Sequence, residues 1–262
     1  MREVYITGIT GRIGRLLAEE LSKLYRIRGN SRSGTQVQGA EVARGDVRDL
    51  EFMRRQFEGV DTVIHLGADP SPRASWESVL YNNIDGTYKV YEAARLAGVK
   101  RVIFASTNHV TGILTEKVVD MDQNTPFRPD SYYGISKATG EVMGRYYSDR
   151  YGISVLNFRI GWIGDWETDE EIVNHFKSLK SAYPLMWLSR RDCVEAHRCG
   201  IEAPPEITYG TYYIMSKNKD MLWDMTNARE ELGYEPKDDL AELFAKFGLP
   251  FNFRIPSSDL GG

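Results

Sequence analysis

Short apolar runs alternate with longer amphipathic stretches through the first 160 residues of the chain. VYIT at 4–7 opens the series, and the helical spacing of Ile13, Leu16, Leu17 and Leu21 follows it. YRIRGN at 25–30 reads as a second extended run, 41–44 as a short third, and 49–57 as a helix. DTVIHL (61–66), RVIFAS (101–106) and SVLNFR (154–159) read as buried strands. Between them the pattern predicts helices over 75–97, with Val79, Ile84, Val90 and Ala94 inward, and over 131–150. Strands alternating with helices imply parallel pairing through right-handed crossovers. The expected fold is α/β, a Rossmann-type doubly wound parallel sheet covered on both faces, so its strands are apolar throughout.

After Ile160 the alternation stops. A polar loop leads to helical regions near 169–181 and 190–202, a strand at 211–215 and a terminal helix near 238–246. That stretch is short for a core of its own. Residues 1–160 are therefore expected to form a nucleotide-binding Rossmann domain, and 161–262 a small substrate-binding lobe packed on it. The closing IPSSDLGG reads as a loose tail.

Composition narrows the partners. An apolar fraction of 42% with 27% charged residues suits a globular chain with a sizeable core. A net charge of −4 argues against a broad nucleic-acid face, which needs clustered Lys and Arg. Cys193 and Cys199 lack metal-ligand spacing, so they are expected to be buried thiols in a reducing compartment, with no metal site. No apolar h-region follows Met1-Arg2-Glu3, and no run approaches the length of a membrane span. The expectation is a cytoplasmic protein with neither membrane nor nucleic acid as partner.

Candidate chemistry begins at TGITGRIG (7–14), between the first strand and the first helix. Gly8, Gly11 and Gly14, with Arg12 and Ile13 among them, suit a turn where the backbone approaches a pyrophosphate at a helix N-terminus. Asp46 in GDVRD, followed by Val47, is placed to accept from an adenine amine, or else to serve at a helix N-cap. Leu66, Gly67 and Ala68 end a strand with small residues that leave room for a cofactor. Where an acid usually holds the ribose 2′-hydroxyl, this chain has Asn30, with Arg32 just beyond. That pair leans toward NADP, although Arg32 also reads as a solvated surface charge.

Tyr133 and Lys137 in SYYGISK lie four apart, one helical turn from each other on one face. A neighbouring ammonium favours a phenolate, which would let a tyrosine act as general base. Tyr132 is less well spaced. FASTNHVTG (104–112) places Thr107, Asn108 and His109 where a buried strand runs out. By itself this stretch reads first as a polar turn closing the strand.

Taken in order, TGITGRIG, GDVRD, HLGAD, NNIDGT (82–87), FASTNHV, YYGISK and ELGYEPKDDL (231–240) resemble the landmarks of extended short-chain dehydrogenases/reductases, the NAD-dependent epimerase/dehydratase family. The resemblance covers nearly the whole chain. It implies NAD or NADP as cofactor and a catalytic set of Thr107, Tyr133 and Lys137, with Lys137 also on the nicotinamide ribose and Asn83, at a family asparagine read as structural rather than catalytic, among the cofactor-binding residues. It further implies a homodimer through the helices near 75–97 and 131–150.

The hydroxyl–Asn–His run and Met186-Trp187-Leu188-Ser189 are similar in particular to uronate dehydrogenases and related small-sugar dehydrogenases. That likeness implies oxidation of C1 of a small cyclic sugar, a uronate or a sugar phosphate, to a lactone. Tyr133 would be the base, and Asn108 and His109 would hold neighbouring hydroxyls. Where uronate dehydrogenases place an arginine on the sugar carboxylate, this chain has Ser181-Ala182-Tyr183. Lys177, Lys180, Arg190 and Arg191 flank the gap as candidate anion contacts, or as a solvated helix face. Two other functions fit the pattern less well: an epimerase or dehydratase with tightly bound nucleotide, and a non-catalytic nucleotide sensor, which would have no need of Tyr133 as a base.

Overall fold

A computed structural model of the chain describes residues 1–253 apart from Val118 and Lys180, so the IPSSDLGG tail lies outside the described residues. Seven strands form its sheet: β1 (Glu3–Thr7), β2 (Arg26–Ser31), β3 (Ala40–Arg44), β4 (Thr62–His65), β5 (Arg101–Thr107), β6 (Ser154–Ile160) and β7 (Tyr209–Ile214). Their order is β3-β2-β1-β4-β5-β6-β7, and every pairing is parallel. The chain winds outward from β1 to β3, then returns to place β4 on the other side of β1. This reversal opens a crevice at the carboxyl ends of the central strands, where ligands bind in open α/β sheets.

Helices α1 (Arg12–Leu21), α2 (Leu50–Gln56), α3 (Trp76–Ser78), α4 (Gly86–Ala97), α5 (Gly112–Glu116) and α6 (Tyr132–Tyr151) belong to the first 160 residues. Beyond them come α7 (Asp169–Phe176), α8 (Arg190–Glu202), α9 (Thr226–Leu232) and α10 (Leu240–Lys246). Side chains alternate across the sheet. Val4, Ile6, Ile103 and Leu156 join Leu17 of α1 and Cys193 of α8 in one core. Tyr5, Val63, Val102 and Phe104 join Met53 of α2, Val90 of α4 and Tyr147 of α6 in the other. Both cysteines are buried free thiols.

The elements differ from the pattern-based expectation in identifiable places. The helix expected over 75–97 contains a π-helical turn, Val79–Asp85, between α3 and α4. The helix expected near 169–181 is capped by a reciprocal Thr168–Glu171 box and ends at Phe176. A separate 3₁₀ turn, Tyr183–Met186, carries Pro184 near its start. α9 went unpredicted because it buries only Ala228 and Leu232, too few positions for a period to show. The segment after Ile160 also enters the main sheet, since β7 pairs with β6 along its length.

Candidate active site

A cavity of about 1430 Å³ runs along the carboxyl ends of β1, β2, β4, β5 and β6. At its nucleotide end Gly8 has φ +65, and a Cβ there would lie 2.8 Å from the Gly67 Cα. A Cβ on Gly14 would lie 2.6 Å from the Ile9 carbonyl oxygen. The turn therefore closes against the end of β4 and leaves the first N–H groups of α1 facing the cavity, an arrangement that stabilises an anion. Gly8, Gly11, Arg12, Ile13 and Gly14 all line it.

Behind this turn the Thr7 hydroxyl accepts from the N–H groups of Leu66 (3.1 Å) and Gly67 (3.0 Å). Its own proton is left for His65 Nδ1 at 2.8 Å, so Nε2–H donates to Thr87 Oγ1 at 3.1 Å. Burial, with the Lys137 charge as a second cause, pushes His65 down to about 3 and keeps it neutral. The chain fixes the backbone of Leu66, Gly67 and Ala68 on the cavity wall. His65 stands in HLGAD, yet only its spatial partners reveal this task.

At the adenosine end Asn30 is buried, its Nδ2 donates to Gly45 O at 3.1 Å, and its Oδ1 has no partner. Arg32 and Val47 line the same end. Asp46 lines it too, but its carboxylate is gripped by Arg48 through Nε (3.1 Å) and a terminal nitrogen (2.8 Å). That hydrogen-bonded arginine holds the Asp46 carboxyl below its ordinary value against the opposing effect of burial. The N-cap of α2 is Asp49, which accepts from Phe52 N.

Asn83 is not on the cavity wall. It is buried, exchanging hydrogen bonds with the Asp69 backbone at 2.8 and 3.0 Å and donating to Ser136 Oγ at 2.9 Å. Ser136 in turn donates to the Tyr133 carbonyl at 2.7 Å. Asn83 thus braces the loop after β4 against the first turn of α6, one layer behind the place expected for a cofactor contact. Arg12 reaches the other way, donating to Ile163 O at 2.9 Å and pairing with Asp165 at 2.8 Å.

At the chemical end the fold brings Thr107, Asn108, His109, Tyr133 and Lys137 to one wall. Ser131 caps α6 by accepting from Gly134 N at 3.1 Å, which puts Tyr133 in the first turn and Lys137 in the next. Tyr132 points away, exposed, with its ring against Trp76. The Thr107 hydroxyl engages the Tyr133 phenol and donates to Asn108 Oδ1 at 3.4 Å. Asn108 Nδ2 is buried without a partner. The neighbouring Ser106 hydroxyl is instead taken by Glu141.

The electrostatics differ from the expectation that Lys137 lowers the phenol. Burial dominates at both groups: it pushes Tyr133 up to about 12, against the Thr107 hydrogen bond, and drops Lys137 to about 7. Lys137 Nζ lies over the Phe104 ring, 4.9 Å from its centroid, and 5.7 Å from that of Tyr133. An apolar ring compensates little for lost hydration, so the ammonium is itself the weakened partner.

None of the described flanking cations expected near the gap lines the cavity. Lys177 donates to Asn174 at 2.6 Å, Arg191 pairs with Asp238, Arg190 lies off the wall, and Lys180 is outside the described residues. Ala182 is buried, and Trp162, Tyr183 and Met186 form the wall instead. Arg73, on the loop after β4, is a cavity cation with no sequence signal beyond its charge.

A glycine cradle at a switch point, sharing one cavity with a Thr–Tyr–Lys set, defines a nucleotide-dependent short-chain dehydrogenase/reductase. Residues 4–178 match the model of the NAD dependent epimerase/dehydratase family, and the chain belongs to that family. It is 36% identical to L-arabinose 1-dehydrogenase (NAD(P)(+)) of Haloferax volcanii, over 93% of this chain and 99% of that one. It is 37% identical to NAD-dependent glucose-6-phosphate dehydrogenase of the same organism, over 92% and 95%. The fold matches the crystal structure of uronate dehydrogenase from Agrobacterium tumefaciens with TM-score 0.81 at 28% identity, covering 98% of this chain and 92% of that one. No described helix is long and apolar enough to cross a membrane.

Proposed function

We propose that this protein oxidises C1 of a small cyclic aldose to the lactone, with NAD as hydride acceptor. The observation that carries the reading is the meeting of Thr107, Tyr133 and Lys137 at the inner end of the glycine-cradled cavity. The residues fit the dinucleotide: side chains at Gly8 and Gly14 would collide with the backbone of Gly67 and Ile9 and force the pyrophosphate turn open, and Asn30 Oδ1 waits unpartnered at the ribose end. Asn30 presents no negative charge and Arg32 stands beside it, so a 2′-phosphate is tolerated as well.

When bound, the nicotinamide supplies the hydride acceptor. Tyr133 Oη takes the C1 hydroxyl proton while Thr107 Oγ1 orients that hydroxyl, and Lys137 holds the ribose beside them. Burial opposes both charges, and a cation or further hydrogen-bond donors in the cavity would favour the phenolate. With Trp162, Tyr183 and Met186 around buried Ala182, the outer wall suits a neutral aldose better than a uronate. A sugar phosphate is the second reading, favoured by Arg73.

Exposed Tyr88 on α4 and Ile135, Val142 and Tyr146 on α6 suit a homodimer through these helices, and Val142→Glu would then give a monomer by light scattering. The function is tested by following reduced-cofactor absorbance with pentoses, hexoses, glucuronate and glucose 6-phosphate. Lactone and reduced NAD in equal amounts are expected; no reduction with any of these sugars would reject the reading.

A further inference from the structure

His109 Nδ1 faces the carboxylate of Asp130, at 3.0 Å from Oδ1 and 2.8 Å from Oδ2. Asp130 is itself held by the Ser131 hydroxyl, which donates to Oδ1 at 2.8 Å. The pair has been given room by the backbone. A Cβ on Gly112 would overlap Asp130 Oδ2, and one on Gly134 would lie 2.5 Å from the His109 carbonyl oxygen. The imidazole stands edge-on to the Tyr133 ring, 5.7 Å between centroids, and lines the cavity. Asp130 does not.

We propose that Asp130 is a positioning residue that keeps the Nδ1 proton of His109 and so leaves Nε2 as a hydrogen-bond acceptor for one sugar hydroxyl. A carboxylate only accepts, so the ring nitrogen facing it must be the donor, and the neutral ring then has its lone pair on Nε2. Asn108 offers the opposite character next to it, an unpartnered Nδ2 donor on a buried side chain. Together the two side chains form a donor–acceptor couple that fits neighbouring ring hydroxyls. One of these must donate, to Nε2; the other must accept, from Asn108. The proposal rests on the sugar-oxidising reading above and adds which polarity each ring position must have.

The test uses an accepted aldose and its deoxyfluoro analogues, since fluorine keeps the size of a hydroxyl but cannot donate. With such analogues, fluorine at one ring position is expected to lower kcat/KM roughly 10- to 100-fold. Asp130→Asn can donate to Nδ1 and reverse the ring, so the preference at that position should shrink to about 2-fold or less. A merely structural role would lower both rates and keep their ratio. Nitrogen-15 spectra of histidine-labelled protein, assigned with His109→Gln, should give the Nδ1–H tautomer in the wild type.

Equal rates for hydroxyl and fluorine at every position, a ratio that survives Asp130→Asn, or an Nε2–H tautomer would each overturn the proposal. The wild-type panel and spectrum decide it even if Asp130→Asn does not fold. Should no sugar be oxidised, the proposed function fails, while the tautomer measurement still decides the role of Asp130.

Discussion

Ser106 Oγ donates to Glu141 Oε1 at 2.5 Å, and the same carboxylate takes Arg159 through Nε at 3.0 Å and through a terminal nitrogen at 2.9 Å. All three groups are buried. Arg159 continues to the Tyr213 hydroxyl at 3.2 Å, Tyr213 meets Thr111 at 3.1 Å, and Thr111 donates to the Asn108 carbonyl at 3.2 Å. The network anchors the end of β5 from behind and commits the Ser106 hydroxyl, which leaves the Thr107 hydroxyl as the one beside Tyr133 on the cavity wall.

From this follows a division between neighbours. Thr107→Val is expected to lower kcat on the order of 100-fold with a melting temperature close to wild type. Ser106→Ala should instead lower the melting temperature, through a buried hydrogen bond lost to a charged group, and leave kcat within about 3-fold. Steady-state kinetics and thermal unfolding of both variants check this, and exchanged phenotypes would reassign the hydroxyl.

Cofactor choice turns on Arg32. Arg32→Ala is expected to raise KM for NADP about 10-fold, because a guanidinium pairs well with a 2′-phosphate, and to change KM for NAD less than 2-fold. Initial rates with each cofactor give the answer. An NADP constant unmoved by the substitution would return Arg32 to the solvated surface.

Burial of Lys137 makes the stability of the cofactor-free protein pH-dependent. Its ammonium drops from 10.5 in the unfolded chain to about 7 in the folded one. Between these values the unfolded chain binds more protons, so stability rises with pH across that window and the full penalty applies below it. Lys137→Met should therefore be more stable than wild type at pH 6, by roughly 2–5 kcal/mol, with the difference vanishing toward pH 10. Urea unfolding at several pH values measures it; a gain that does not depend on pH would contradict the buried, weakened ammonium.

Much of the site was legible because its chemistry is local in sequence. The three glycines sit within seven residues, Tyr133 and Lys137 share one helical turn, and Thr107, Asn108 and His109 are consecutive. What escaped depends on distant partners. Asp130 reads as an ordinary residue before an N-cap serine, and only the fold carries it to His109, 21 positions away. Asn83 was assigned to the cofactor from a motif, whereas its amide is consumed by Asp69 and Ser136. Asp46 keeps its place on the wall but gives its carboxylate to Arg48, a pairing that spacing alone does not distinguish from an adenine contact. The sheet was read from apolar runs through β6. The π turn of Val79–Asp85 left no mark on the apolar spacing around it.

Tyr133→Phe separates chemistry from binding. The variant should keep its affinity for NAD, because the cradle is untouched, and lose kcat by about 100- to 10,000-fold for lack of the proton acceptor. Fluorescence titration of the cofactor together with turnover provides both numbers. Unchanged turnover would remove Tyr133 from the catalytic set.

Transfer of the C1 hydrogen tests the central claim most directly. With an aldose deuterated at C1, the account predicts that the deuterium appears on the reduced nicotinamide and that the sugar leaves as an unlabelled lactone, both readable by NMR. Deuterium retained on a sugar of inverted configuration, or reduced cofactor without deuterium, would contradict it.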